Sequence, residues 1–480
     1  MEAFLRPASG YPALLQALQR GPLKVSLVGS GNWGTAVGKI VAMNAKDSHI
    51  FHSDVRMWVF EEECEGRKLS EWINKHHENR KYLPGFQLPT NLRAIPSLTE
   101  ACKEADLLIF VMPHQFIEKT CYELKKAQLL PPHARAISLI KGLGVKKGWP
   151  ITLTHEIGNI LELPKPCILS GANVANDVAA ENFAEATIGH PEGEAETAAL
   201  WQLLFDRPNF KVNVLPDVDG VEVCGALKNV VAVAGGICEG MGQGTNAKAA
   251  ILRLGVEEMK TFIMLFFGGL LADTLYDSAG YADVITTAFG GRNARVSAEF
   301  VRQGGKKNWD QLESEMLAGQ KLQGPATLEL VAEVVRTNKV EHLFPLFMAT
   351  HAVAFQGADP QLILDVFRTS QPRTIQKVDD CVKLKMPTAI KEARTKIAAR
   401  IMMARGNSSH HTAYHSSHSA LHGGQHETIC EGTREGIHES VGGSPQEGSG
   451  RSHPTASREA THGISITSPF LIGDSEQLLS

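Results

Sequence analysis

A glycine-rich turn near the N-terminus restricts what this chain of 480 residues can fold into. The apolar run LKVSLVG leads into GSGNWG, in which Gly29, Gly31 and Gly34 have the G-x-G-x-x-G spacing, and a stretch of helical periodicity follows. Strand, glycine turn and helix in this order are typical of dinucleotide-binding domains, because the helix N-terminus then faces the pyrophosphate. Gly29 is expected to make the tight turn, Gly31 to let the backbone approach the phosphates, and Gly34 to permit close helix–strand packing.

Further apolar runs repeat this alternation of strand and helix along the first half of the chain. The runs are almost continuously apolar, as strands buried on both faces are, and polar–apolar stretches of helical character separate them. A repeated β-α-β pattern predicts a Rossmann-like α/β domain with a doubly wound, mostly parallel sheet. Beyond the first strand, we expect strands at residues 55–60, 106–112, 136–140 and 166–171.

From about Asp217 the strand signal disappears and long helical patterns take over, which predicts an all-helical C-terminal domain. Past about Arg405 the chain is rich in Gly, Ser, Thr, Glu and His, with too few apolar residues to offset the entropy of ordering. Nine histidines lie between His410 and His462, but their irregular spacing defines no metal cage, and no metal site is expected. The expected divisions are a leader at 1–22, a dinucleotide-binding domain at 23–215, a helical catalytic and substrate-binding domain at 216–400, and a disordered tail at 401–480.

Composition and charge exclude several classes of protein. The net charge of -4 gives no general attraction for nucleic acid. The longest strongly apolar run lies between Lys260 and Asp273, which is shorter than the roughly 20 residues of a spanning helix. The eight cysteines contain no C-x-x-C pair and are interpreted as reduced, mostly buried thiols. We expect a cytosolic protein, with a weak organelle signal in the mildly amphipathic N-terminus as the alternative.

An acidic run follows the second expected strand, in the sequence Phe60-Glu61-Glu62-Glu63. A carboxylate at this position of a dinucleotide-binding domain accepts the adenosine ribose hydroxyls and repels a 2′-phosphate. The run therefore favours NAD over NADP as the cofactor. Glu61 is the first candidate for the ribose contact, but the crossover is longer than usual, so the choice between Glu61 and Glu62 stays open. A solvated charge run is the alternative interpretation.

Eight motifs follow one another between about Lys24 and about Gly357. They are VGSGNWGTA, MWVFEEE, VMPHQF, ISLIKG, SGANVA, GALKNVVAV, ADVITTAFGGRN and GQKLQG. In this order they resemble the motifs of eukaryotic-type NAD-dependent glycerol-3-phosphate dehydrogenases. The resemblance implies reversible reduction of dihydroxyacetone phosphate by NADH to sn-glycerol 3-phosphate. We also expect a homodimer.

Reduction of a ketone creates an alkoxide, which needs a proton donor within hydrogen-bond reach. Lys228 is the best candidate, because it lies among apolar residues at the expected head of a helix, where desolvation lowers a lysine pKa. A lysine reaching out of a helix end is the alternative. The resemblance implies that Lys228 transfers the proton and that Asp283 is its orienting counter-charge. Asp283 as a helix N-cap is the alternative for that residue.

Several polar residues are candidates for binding the substrate. Lys141 and Asn173 each follow an expected strand, and ligands of open α/β sheets collect at the carboxyl ends of strands. A phosphate dianion needs several donors, and Arg292 and Asn293 offer a guanidinium, an amide and a helix N-terminus just after two glycines. By resemblance, Asn229 and Thr287 are further donors.

The resemblance also implies cofactor contacts outside the three glycines. On sequence alone, Phe60 and Phe116 would be core aromatics and Lys321 would belong to a polar loop. Trp33 is expected to pack under the turn. The implied contacts are Ser30, Asn32, Trp33, Phe60, Glu61, Phe116, Ala175, Arg292, Lys321 and Gln323.

Two other functions compete with this one. A dehydrogenase for another small phosphorylated or carboxylated hydroxy compound would use the same residues, since an Arg-Asn pair holds either anion. A non-catalytic NADH-binding module with a partner-binding tail is disfavoured, because such a module has no chemical reason to keep Lys228 as a proton donor.

Overall fold

One eight-stranded sheet organises the first half of the protein. The computed structural model describes residues 18–19, 21–317 and 321–369, so the predicted tail and most of the predicted leader lie outside the described residues. The strands of this sheet are β1 (Val25–Val28), β2 (Val55–Trp58), β5 (Leu92–Ile95), β6 (Leu107–Phe110), β7 (Arg135–Ser138), β10 (Cys167–Ser170), β11 (Ala184–Gly189) and β12 (Phe210–Leu215).

The strand order is β12-β11-β10-β7-β6-β1-β2-β5, and every neighbouring pair is parallel except β10 and β11. The predicted α/β fold class is therefore confirmed. Two small antiparallel hairpins accompany the main sheet. They are formed by β3 (Glu63–Cys64) with β4 (Arg67–Lys68) and by β8 (Gly144–Lys146) with β9 (Trp149–Ile151).

Sixteen α-helices are described, seven in the half that contains the sheet and nine in the helical half. Those of the first half are α1 (Asn32–Asp47), α2 (Leu69–His76), α3 (Leu98–Ala101), α4 (Ile117–Ala127), α5 (Leu153–Leu161), α6 (Ala175–Ala179) and α7 (Ala195–Phe205). Those of the second half are α8 (Val218–Gly240), α9 (Thr245–Phe266), α10 (Ala272–Tyr276), α11 (Asp283–Gly290), α12 (Arg292–Arg302), α13 (Trp309–Leu317), α14 (Gln323–Thr337), α15 (Pro345–Gln356) and α16 (Leu362–Thr369).

Both faces of the sheet are covered, which explains why every residue of β1, β6 and β10 is buried. Successive side chains of a strand point to opposite faces. Leu27 and Val28 are neighbours in β1 and both are fully buried, yet they belong to two separate apolar clusters. Leu27 packs with Val37 of α1, and Val28 lies in the cluster that contains Leu124 of α4. The sheet is thus the middle of three layers.

Helix α8 is the centre of the helical half. Among the described residues it is the one helix long and apolar enough to cross a membrane by length and composition, and the apolar part is completely buried inside the protein. Its N-terminus is fixed by Asp217, whose carboxylate accepts from the amide of Gly220. The helix therefore starts ten residues before Lys228. The prediction that Lys228 lies at the head of a helix was wrong, because Asp217 caps the helix well upstream and places Lys228 in its middle.

Three strands of the main sheet were not predicted from the sequence, and neither were the two small hairpins. β5 and β11 contain few large apolar residues, and their sequences LRAI and AEATIG do not form continuous apolar runs. β12 alternates buried and exposed residues over FKVNV, which is a period-two signal that could have revealed it. The last strand ends at Leu215 and α8 begins at Val218.

Candidate active site

The glycine turn between β1 and α1 has the geometry of a phosphate-binding turn. Gly29 has φ +124, and a Cβ there would collide with the carbonyl oxygen of Val111. A Cβ on Gly34 would lie 2.7 Å from the carbonyl oxygen of Gly29. Gly31, by contrast, would point a Cβ into open space, and no acidic residue occupies the first turn of α1. The backbone is therefore open to an anion at Gly31, which fits a dinucleotide pyrophosphate.

The segment from Asn79 to Tyr82 is hydrogen-bonded to this turn. Asn79 is fully buried, and its amide nitrogen donates to the carbonyl oxygen of Ser30 (2.9 Å) and to the hydroxyl of Thr35 (2.8 Å). Asn32 donates in turn to the carbonyl oxygen of Tyr82 at 2.8 Å. These bonds hold the turn in place, and the sequence reasoning missed Asn79 and Tyr82 because nearly fifty residues separate them from the turn.

The acidic residues after β2 have different partners. The Glu61 carboxylate accepts from the amide (3.1 Å) and the hydroxyl (2.6 Å) of Ser70, at the start of α2. The Glu62 carboxylate accepts from the Tyr82 hydroxyl at 2.6 Å and binds the Lys81 ammonium at 2.9 Å. Glu61 therefore stabilises a helix N-terminus, whereas Glu62 is part of an ion pair.

Two lysines meet one carboxylate beside the carboxyl ends of the strands. The Nζ of Lys228 donates to Oδ1 of Asp283 and, at 2.6 Å, to the hydroxyl of Thr287. The Nζ of Lys141 donates to Oδ2 of the same Asp283 at 2.7 Å and to the carbonyl oxygen of Gly171 at 3.0 Å. Both oxygens of Asp283 are occupied by lysines, and Asp283 makes no capping bond for α11. The N-cap alternative for Asp283 is thereby excluded.

The surroundings of Lys228 favour its neutral form. Burial is the largest influence, and the nearby ammonium of Lys141 acts in the same direction. The negative charge of Asp283 opposes both, and the result lowers the pKa of Lys228 to about 7. A lysine with a pKa near the working pH can both release and accept a proton, as a general acid–base group must.

A glycine makes this convergence possible. Gly225 lies three residues before Lys228 on α8, and a Cβ there would lie 2.7 Å from Oγ of Ser170 and 3.7 Å from Cγ of Lys141. Without that side chain, α8 packs closely against the end of β10 and leaves room for the stem of Lys141. Lys228 on the helix and Lys141 at the carboxyl end of β7 can therefore both reach the carboxylate of Asp283.

Polar side chains continue from the lysines to the start of α12. Asn293 donates to Oδ1 of Asn229 at 2.9 Å, and its own oxygen accepts from the amide of Gly324 at 3.0 Å. Arg292 is the first residue of α12 and is exposed, and Gly291 caps that helix without a side-chain bond. Arg292 and Asn293 therefore lie together at a helix N-terminus. The polar side chains and the positive end of the helix dipole both suit an anion.

Other predicted residues have partners of their own. The Asn173 amide donates to the carbonyl oxygen of Glu185 in β11 at 2.9 Å. Lys321 pairs with Asp310 (2.6 Å) and Glu313 (2.8 Å), and these carboxylates hold the lysine pKa above its ordinary value. Ala175 begins α6.

The aromatic residues Phe60 and Phe116 follow β2 and β6 and are 69% and 51% exposed. They are not core residues, so the structure excludes the alternative drawn from sequence alone. Trp33 is partly buried, and its ring centroid lies 6.4 Å from that of Phe210 in β12. Exposed rings next to the turn are suited to stacking on a ligand.

His114 is a residue that sequence reasoning missed. It follows β6, a Cβ on Gly142 would lie 3.3–3.4 Å from its Cγ, Cβ and Nδ1 atoms, and its side chain is hydrogen-bonded to Gln323. His114 thus connects the sheet edge with the start of α14. Its place after a strand was a usable signal. Among the described residues, no group of three or more His, Cys, Asp or Glu side chains is arranged to hold a metal ion.

The mostly parallel sheet has an open phosphate-binding turn, and the helices bring a buried lysine–carboxylate pair to the carboxyl ends of its strands. This combination defines a nicotinamide-dependent dehydrogenase. The sequence model described as the NAD-dependent glycerol-3-phosphate dehydrogenase N-terminus matches residues 24–196, and that of the C-terminus matches residues 217–365. The chain belongs to the NAD-dependent glycerol-3-phosphate dehydrogenase family.

Named relatives agree with this family. The human cytoplasmic NAD⁺-dependent glycerol-3-phosphate dehydrogenase is 48% identical over 70% of this chain and 94% of its own length. A chloroplastic NAD⁺-dependent glycerol-3-phosphate dehydrogenase of Arabidopsis thaliana is 46% identical over 71% of this chain and 84% of its own. A solved structure of the Plasmodium falciparum glycerol-3-phosphate dehydrogenase is 42% identical, with a TM-score of 0.72 over 76% of this chain and all of that one.

Proposed function

We propose that this protein catalyses the reversible reduction of dihydroxyacetone phosphate by NADH to sn-glycerol 3-phosphate. The observation that carries the proposal is the buried Lys228 bonded to Asp283 beside the carboxyl ends of the parallel strands. Family membership supplies the substrate class.

The residues of the glycine turn would hold the pyrophosphate of the cofactor, and Phe60 and Phe116 would lie against its ring systems. When bound, the nicotinamide supplies hydride to the substrate ketone carbon or accepts it from the alcohol. Gly31 supports this role, since its open backbone leaves room for an anion.

Lys228 would donate its proton to the oxygen that becomes negative as the ketone is reduced. Asp283 and Thr287 both bind the ammonium, so its Nζ is held at one place before the substrate arrives. Lys141, on the other oxygen of Asp283, adds a second positive charge that stabilises the developing alkoxide. In the oxidative direction, neutral Lys228 would accept the alcohol proton.

Arg292 and Asn293 would bind the substrate phosphate at the N-terminus of α12, with Asn229 and Thr287 as further polar partners. Their support is the chain of bonds that joins Asn293 to Asn229, the neighbour of Lys228.

We further infer a cytosolic homodimer, with the dinucleotide-binding part at 23–215 and the helical part at 216–400. The name of the human relative supports the location. Exposed apolar side chains on and near α11, Tyr276 (77%), Ile285 (53%) and Phe289 (61%), support a surface that a second copy covers. Light scattering on the purified protein tests the dimer.

The test of the activity is purified full-length protein with NADH and dihydroxyacetone phosphate, followed by the loss of NADH absorbance. A panel of other phosphorylated and carboxylated ketones is run in parallel. Preferred turnover of dihydroxyacetone phosphate supports the proposal. Better turnover of a carboxylated ketone would favour a different dehydrogenase, and NADH binding without any turnover would favour a sensing module.

A further inference from the structure

Three side chains beside the phosphate-binding turn form a bonded group that the proposed reaction leaves unexplained. Glu62 accepts from the Tyr82 hydroxyl at 2.6 Å and pairs with the Lys81 ammonium at 2.9 Å. The same ammonium lies 5.5 Å from the centre of the Tyr82 ring. The side chains of Glu62 and Lys81 are 27% and 37% exposed, so the pair is within reach of a ligand.

This group is attached to the turn itself. Asn79 binds the carbonyl oxygen of Ser30, and the carbonyl oxygen of Tyr82 accepts from Asn32. Glu62 follows β2, which is the direct neighbour of β1 in the sheet. In dinucleotide-binding folds, the adenosine ribose lies between the glycine turn and the end of the second strand. Lys81 and Glu62 are therefore placed where the ribose 2′ position would lie.

Their charges have opposite effects on a 2′-phosphate. A cation at this place accommodates the 2′-phosphate of NADP, and a carboxylate repels it. Burial opposes the ionisation of Glu62, but the Tyr82 hydrogen bond and Lys81 outweigh it and lower the Glu62 pKa. Burial and the bond to Glu62 raise the pKa of Tyr82 to about 12, so Tyr82 remains a donor at neutral pH. Glu62 is thus a stable anion that neutralises Lys81.

Glu61 does not share this arrangement. Both of its oxygens are directed to Ser70, where they bind the amide and the hydroxyl at the start of α2. Its contribution is to the stability of that helix N-terminus. The two neighbouring glutamates therefore form a natural pair of test and control positions.

We propose that Glu62, rather than Glu61, is the residue that excludes NADPH, and that Lys81 is a masked binding group for a ribose 2′-phosphate. The inference rests on the proposed function insofar as the turn must bind NADH. When Glu62 loses its charge, Lys81 becomes available to a 2′-phosphate and the repulsion disappears at the same time.

The experiment measures dissociation constants for NADH and NADPH by calorimetry on the full-length protein, without substrate. Glu62→Gln is expected to lower the ratio of the NADPH dissociation constant to the NADH dissociation constant about tenfold, which corresponds to about 1.4 kcal/mol, because the charge that repels the 2′-phosphate is lost. The double variant Glu62→Gln with Lys81→Met should lose most of this improvement in NADPH binding relative to NADH. Glu61→Gln should lower the melting temperature and leave the ratio unchanged.

Lys81→Met alone gives an independent measurement if Glu62→Gln does not fold. It should weaken NADPH binding several-fold, because the Glu62 charge is then no longer neutralised, and leave NADH binding unchanged. The proposal is overturned if Glu62→Gln leaves the ratio at its original value, if Glu61→Gln changes it equally, or if Lys81→Met affects both cofactors alike. Absence of NADH binding to the unmodified protein would instead contradict the proposed function.

Discussion

Lys141 and Lys228 bind opposite oxygens of one carboxylate, that of Asp283. Lys141 lies just after the carboxyl end of β7, and Lys228 lies in the middle of α8. The α/β half and the helical half of the protein therefore meet in this contact. When Lys228 is protonated, the two ammonium groups and the single carboxylate leave a net positive charge at the site. That charge suits a substrate carrying a phosphate and an oxygen that becomes negative.

Replacement of Lys228 by Ala should remove most of the chemical step. A positioned proton donor contributes typically about 10²–10⁴-fold to the rate, and kcat should fall by that order. The NADH dissociation constant should be unchanged, because the glycine turn is not altered. Steady-state kinetics and calorimetry measure the two quantities.

Lys165→Ala is a matched control for loss of a lysine, because Lys165 pairs with Asp219 at 2.8 Å away from Asp283. It should retain normal turnover. Turnover of Lys228→Ala within a few-fold of the unmodified enzyme would refute the role of Lys228.

The rate should depend on pH in opposite ways for the two directions of the reaction. Burial and Lys141 lower the pKa of Lys228 to about 7. Reduction needs the protonated lysine, so its kcat should fall as the pH rises through that value, and oxidation, which needs the neutral lysine, should gain. Lys141→Met removes a positive neighbour and should move both transitions to higher pH. Profiles that keep their midpoints in this variant would contradict the assignment.

Gly31 and Gly244 allow a matched test of the phosphate-binding turn. Both precede a long helix in extended backbone conformation, and a Cβ on either would meet nothing within 4 Å. Gly31→Val should therefore keep the melting temperature and weaken NADH binding by more than about tenfold, because the side chain fills the space for the pyrophosphate. Gly244→Val should leave NADH binding unchanged. Equal affinities in the two variants would place the pyrophosphate elsewhere.

Glu222 should be a large contributor to stability. Its buried carboxylate on α8 accepts from the amides of Leu153 (2.6 Å) and Thr154 (3.2 Å) at the start of α5. Glu222→Ala leaves those amides unpaired and should lower the free energy of unfolding by about 1–3 kcal/mol. Denaturant titration measures this loss, and Glu329→Ala, at an exposed position of α14, should cost far less. Equal losses would show that the Glu222 bonds add nothing.

Deletion of residues 407–480 should leave turnover and melting temperature nearly unchanged. Every proposed site residue precedes residue 324, and the family match ends at residue 365. Calorimetry and the NADH assay on the shortened chain check this. A fall of several degrees would mean that the deleted part stabilises the enzyme.

Local signals in the sequence predicted the parts of the structure that are local. The strand, glycine turn and helix around Gly31 lie within about 25 residues, and their order alone indicated the fold. Lys141, Lys228 and Asp283 were each proposed, but no pattern shows that two lysines share one carboxylate. The resemblance implied the pairing of Asp283 with Lys228, and the structure adds Lys141 to the same carboxylate.

Contacts between distant segments account for what the sequence did not reveal. Tyr82 reaches Glu62 across 20 positions and Glu222 reaches Leu153 across 69, and no periodicity marks either pair. The location of Lys228 in mid-helix depended on the cap at Asp217, which resembles any other polar residue in sequence. β11 was missed because its sequence AEATIG contains mostly small and polar residues, although nearly all of them are buried by neighbouring layers.

The separation of Asp283 from its first lysine, 142 positions along the chain, also orders events during synthesis. A ribosome has made the phosphate turn, Lys141 and all of α8 before the carboxylate appears. Until then Lys228 has no counter-ion in its apolar surroundings, and an unpaired ammonium resists burial. Asp283 is therefore the last side chain of the trio to be made, and a nascent chain that ends before it lacks the carboxylate that holds the two lysines together.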